Sequence, residues 1–114
     1  MFRLMSVSAA DFGYQVHFAN SPVVVDFYAD WCGPCRVLGP VLERFADKYH
    51  GAVKFVKVDV DNESELAGHY GVSSIATLLF FRGGELVDRI VGLPSAGLLQ
   101  AKLDALSRPA PTRR

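Results

Sequence analysis

Val23-Val24-Val25-Asp26-Phe27-Tyr28-Ala29-Asp30-Trp31-Cys32-Gly33-Pro34-Cys35 is the stretch that decides how this chain is read. The near-continuous apolar run from Val23 to Ala29 has the pattern of a strand covered on both faces. It leads into the chain's only two cysteines, placed two residues apart at the start of a helix expected over Gly33 to Tyr49. A spacing of three along a helix puts both side chains on one face, close enough to form a disulfide with little backbone movement. The helix N-terminus carries partial positive charge and unpaired N–H groups, which favour a thiolate on Cys32 over a thiol. Pro34 fits the first helical turn and stiffens the ring of atoms joining the sulfurs. The stretch reads as a redox dithiol.

Outward from it, the periodicities alternate. A short strand over 3–7 and a helix from Ser8 or Ala9 to Ala19, capped by Ser8, are expected first. Asn20-Ser21-Pro22 makes the turn into the Val23–Ala29 strand. Leu38, Val41, Leu42 and Phe45 form an apolar stripe on the helix after the cysteines, and Gly39-Pro40 is expected to kink it. Val53–Val58 is a second interior strand, and a short helix from Asp61 or Asn62 to Tyr70 is stopped by Gly71. Thr77–Phe81, Gly83-Gly84 and Glu85–Val91 read as a hairpin, and Pro94-Ser95 opens a last helix with Leu98, Leu99, Leu103 and Leu106. The order predicts an α/β fold with a mixed sheet between two helical layers.

With 114 residues, half of them hydrophobic and 21% charged, the chain reads as one globular domain over 1–107, large enough for a core without staples. Formal net charge is zero, so neither nucleic acid nor an acidic membrane surface is indicated as a partner. Arg108, Arg113 and Arg114 sit beside Pro109 and Pro111 in a segment, 108–114, expected to be a disordered tail. Met1-Phe2-Arg3-Leu4-Met5 lacks the apolar core of a secretory signal, and no apolar stretch approaches a membrane span. A soluble cytoplasmic protein is expected, a setting where paired cysteines are catalytic or metal-binding more often than structural.

Trp31-Cys32-Gly33-Pro34-Cys35 behind Asp26-Phe27-Tyr28-Ala29 strongly resembles the thioredoxin family. The likeness continues through Val53–Asp59, Tyr70-Gly71-Val72, Thr77–Phe81 and Gly83-Gly84-Glu85, covering roughly residues 5–106. It implies the thioredoxin fold, a central mixed sheet of about five strands flanked by four helices. The implied activity is general protein-disulfide reduction with no cofactor beyond the Cys32–Cys35 pair. Cys32 would attack a substrate disulfide and Cys35 would resolve the mixed disulfide. A flavin-dependent thioredoxin reductase or equivalent donor would restore the dithiol, with protein disulfides as substrates and a monomer as the working form.

By the same resemblance, Asp26 is a buried carboxyl of raised pKa that takes the Cys35 proton through a water, and Lys57 is its partner. Trp31, Gly33, Pro34, Ile75, Ala76 and Gly92 would present the substrate surface, Gly92 at a position where a side chain would block the groove. Trp31 should be partly exposed and shield Cys32. Tyr28 occupies a position where relatives often carry a second tryptophan, so fluorescence reports Trp31 alone. His17, His50 and His69 read as satisfied surface histidines, and Phe27, Phe55, Phe80 and Phe81 as core. No closely spaced histidine pair completes a structural zinc set.

One position departs from the family. Ser73-Ser74-Ile75-Ala76-Thr77 places Ala76 where the family has a cis-proline facing the dithiol. A cis bond costs about 2.5–4 kcal/mol before a non-proline residue against about 0.5–1 before proline. Ile75–Ala76 is therefore expected to be trans, with residues 73–77 rearranged and the space beside the sulfurs opened. An uncovered pair of thiolates suggests an alternative, a module binding soft metal or an iron–sulfur cluster through Cys32 and Cys35 of two chains. A structural subunit using the same apolar surface without turnover is the other rival.

Overall fold

All six residues of the Val23–Tyr28 strand are buried, which makes it the central strand of the sheet, β2. The computed structural model describes residues 4–108; of the tail expected over 108–114 only Arg108 falls within them, and the start of the first strand, at Arg3, lies outside them. In chain order the elements are β1 (Met5–Ser6), α1 (Ala9–Phe12), β2, α2 (Gly33–Lys48), β3 (Lys54–Asp59), α3 (Ser64–His69), β4 (Thr77–Arg82), β5 (Glu85–Val91) and α4 (Ala96–Ser107). The sheet order is β1-β3-β2-β4-β5. β1, β3 and β2 run parallel, and β4 and β5 are antiparallel to their neighbours. The mixed five-stranded sheet with four helices is the one the resemblance implied.

Strand alternation divides the core into two layers. Val24, Tyr28, Phe55, Leu78 and Phe80 face Leu38 and Leu42 of α2 and Leu99, Leu103 and Leu106 of α4. Val23, Val25, Phe27, Val56, Val58, Leu79 and Phe81 face Phe12, Val16 and Ala67 on the other side. Asp26 falls between Val24 and Tyr28 in the alternation. Its side chain therefore belongs to the layer that also holds Cys32 and Cys35.

Three expectations change in detail. The first helix keeps its cap, with the Asp11 carboxylate accepting from Ser8 N–H at 2.7 Å, but only Ala9–Phe12 is α-helical. Gly13–His17 widens into a π-turn, closed by Phe18 N–H donating to the Gly13 carbonyl at 3.0 Å. There the His17 ring bonds the Gly84 carbonyl and the Tyr70 hydroxyl, each at 3.0 Å. These tertiary partners make His17 half-buried rather than a surface histidine, while His50 and His69 are exposed. Helix α2, by contrast, runs from Gly33 through Pro40 to Lys48, within one residue of its expected span.

The third change is the largest. Ile75–Ala76 is cis, not trans, and Thr77 opens β4. The segment is tied on both sides. Thr77 Oγ1 donates to the Ser74 carbonyl at 2.5 Å and Gly92 N–H donates to the Ala76 carbonyl at 2.8 Å. Ala76 is fully buried.

Candidate active site

The dithiol sits where β2 hands over to α2. After Tyr28 the chain crosses Ala29, Asp30 and Trp31, and Cys32 becomes the N-cap of α2, with Pro34 inside the first turn as expected. Cys32 and Cys35 form a disulfide with their Cα atoms 5.3 Å apart. The Cys35 backbone N–H donates to Cys32 Sγ at 3.2 Å. An N–H of the first turn that has no carbonyl partner in the helix thus points at the sulfur, which is the arrangement that lowers a thiol pKa. Both cysteines are buried, 3% and 2% exposed.

Beside them on the sheet lies a buried charge. Asp26 is fully buried, and among the described residues neither carboxylate oxygen has a hydrogen-bond partner. Burial raises its pKa from 3.8 to about 7, and the Lys57 ammonium offsets only part of that rise. Lys57 is the parallel-strand register partner of Asp26. It is buried rather than exposed, with Nζ 5.5 Å from the centre of the Tyr28 ring. A carboxyl titrating near neutrality can both accept and release a proton under physiological conditions.

The expected surface residues divide. Trp31 is 66% exposed, and Gly33 and Pro34 are exposed beside it. Ile75 is half-buried and lines a shallow cavity of about 400 Å³ together with Trp31, Val60, Val72, Ser73 and Ser74. Gly92 is bonded to Ala76, has φ +91°, and a Cβ built there would meet nothing among the described residues within 4 Å. Ala76 itself is buried among the same residues as the cysteines. The open space expected beside it is therefore missing, and with it the premise of the metal alternative. Among the described residues no group of three or more His, Cys, Asp or Glu is placed to hold a metal ion.

Two contacts escaped the sequence reading. The Trp31 indole N–H donates to Asp61 Oδ2 at 2.9 Å. The Arg36 guanidinium donates to the Asp30 carbonyl from Nε at 3.1 Å and Nη2 at 2.8 Å. Nothing in the residue pattern announces the first, because β3 and its loop meet Trp31 only through the sheet. An arginine one residue past the second cysteine is a weak signal for the second.

A family model, Thioredoxin, matches residues 3–105. The chain belongs to the thioredoxin family. It is 46% identical over 96 residues to the mitochondrial thioredoxin of Mus musculus, covering 84% of this chain and 58% of that protein. The chain thus spans little more than half the length of that relative. Against thioredoxin 1 of Nostoc it is 44% identical over 101 residues, covering 88% of this chain and 94% of that one. A solved mutant thioredoxin from Halobacterium salinarum superposes with a TM-score of 0.85 at 36% identity, covering 96% of this chain and 95% of that one.

Proposed function

We propose that this thioredoxin-family chain is a protein dithiol–disulfide oxidoreductase. The observation that carries it is the Cys32–Cys35 disulfide at a helix N-terminus, with the Cys35 N–H aimed at Cys32 Sγ. In the reduced protein the Cys32 thiolate attacks one sulfur of a substrate disulfide. A Cys32–substrate disulfide forms, and the other substrate sulfur leaves as a thiolate and takes a proton from solvent. Cys35 then gives its proton to the Asp26 carboxylate, directly or through a water, and attacks Cys32 Sγ. The second substrate sulfur departs, so the substrate gains two electrons and the pair becomes the disulfide seen here.

The supporting features for each role are distinct. Asp26 is buried on the dithiol side of the sheet and titrates near 7, so it can hold the resolving proton. Lys57, its register partner, moderates that value. Trp31, Gly33, Pro34, Ile75 and Gly92 form the rim on which an extended substrate segment would lie, with Ala76 acting from beneath as backbone. Protein disulfides are the substrates in this reading, and a thioredoxin reductase or equivalent donor returns the two electrons. In this reading the protein works as a monomer in the cytoplasm, where a cysteine pair is catalytic more often than structural.

The test is dithiothreitol-driven reduction of insulin by the parent, Cys32→Ser and Cys35→Ser. Turnover by the parent is expected, with Cys32→Ser inert. Cys35→Ser should accumulate a covalent disulfide between Cys32 and substrate. A parent no faster than dithiothreitol alone overturns the proposal.

A further inference from the structure

The three residues Asp30–Trp31–Cys32 connect the central strand to the helix and carry the sulfur that attacks. Arg36 holds this connection from two directions. Its backbone N–H donates to the Cys32 carbonyl at 3.3 Å. Its guanidinium donates twice to the Asp30 carbonyl, at 3.1 and 2.8 Å. The Trp31 side chain between them is fixed separately by Asp61, and Asp61 N–H is in turn bonded to Asp59 Oδ1 at 2.9 Å. A cation at this end of α2 opposes the helix macrodipole, so helix stability does not explain it. The planar fork, two N–H groups converging on one oxygen, is a geometry that a lysine ammonium does not reproduce.

We propose that Arg36 is a positioning residue for the dithiol. By clasping the Asp30 carbonyl it fixes the connection so that Cys32 Sγ stays in line with the Cys35 N–H, a contact that favours thiolate over thiol when the pair is reduced. The inference rests on the dithiol reading above and extends it to a residue outside the Cys-Gly-Pro-Cys motif. The hydrogen-bond geometry carries it, so a positive charge alone at position 36 is insufficient.

The test is the pH profile of iodoacetamide alkylation of Cys32, measured in a Cys35→Ser background so that one thiol reports. Arg36→Lys keeps the charge and loses the fork; Arg36→Ala loses both. Both profiles are expected to move to higher pH, with alkylation near pH 7 slowed on the order of threefold in each. Trp31 emission should stay at the parent's wavelength in both, because the Asp61 contact is retained. An Arg36→Lys profile that coincides with the parent's would overturn the proposal in favour of charge alone, and three coincident profiles would overturn it outright. Alkylation needs no protein substrate. Shifted profiles in a chain inactive toward insulin would remove the oxidoreductase reading and leave the Arg36 assignment standing.

Discussion

Asp26→Asn is the most informative single change, because the burial of this carboxyl sets the sign of its effect and an order of magnitude for its size. The folded chain holds the Asp26 proton up to about pH 7, whereas an unfolded chain releases it near 3.8. Between those values the native state binds more protons than the unfolded state, so stability falls as pH rises and levels off above the folded value. One pKa unit corresponds to about 1.4 kcal/mol, so the displacement amounts to about 4 kcal/mol of native-state destabilisation in the plateau. Asparagine has the same shape and no charge, and removes this decline. Urea unfolding of the oxidised parent and Asp26→Asn, followed by far-UV circular dichroism from about pH 4 to 9, reads the difference directly. The variant should gain on the parent by about 4 kcal/mol across that range, most of it below pH 7. Any fixed cost of burying the amide shifts all points equally and leaves the trend intact. A gap that is the same at every pH would defeat this account, since it would mean that Asp26 titrates alike in both states. Lys57→Met removes the one influence that lowers the Asp26 value, so the parent's decline should then extend to higher pH.

Gly92→Ala places a side chain at φ +91° where nothing crowds its Cβ. The loss in chemical-denaturation stability should be about 1–2 kcal/mol, the conformational cost alone. Leu103→Ala empties a fully buried position under α4, and a loss of about 2–5 kcal/mol with retained alkylation of Cys32 is expected. Tyr49→Phe deletes the hydroxyl that joins the end of α2 to Asp104 of α4. Equilibrium unfolding should show a loss of about 1 kcal/mol, with insulin reduction unchanged.

Much of the molecule was legible in the residue pattern. Apolar runs and helical stripes placed every strand, and every helix but the first, to within a few residues, because burial on one or both faces imposes its period on the residues themselves. The dithiol was legible for a related reason. Strand, cysteine pair and helix start are contiguous, so the chemistry of Cys32 and Cys35 depends on neighbours in the chain. The π-turn at Gly13–His17 was not, since the partners of His17, Gly84 and Tyr70, come from distant segments.

The residue order alone carries the local grammar: a buried strand, a helix N-terminus under two sulfurs, and glycines at the tight turns. Other features arise only when segments far apart in the chain meet. The register that sets Lys57 beside Asp26 belongs to a sheet whose burial turns an ordinary acid into one that titrates near 7. Hydrogen bonds of Thr77 to Ser74 and of Gly92 to Ala76 tie the segment around Ile75–Ala76, and Asp61 pins an exposed tryptophan. Propensity and periodicity act over a few residues, whereas desolvation and hydrogen-bond partners are set by whatever the fold brings within a few ångströms.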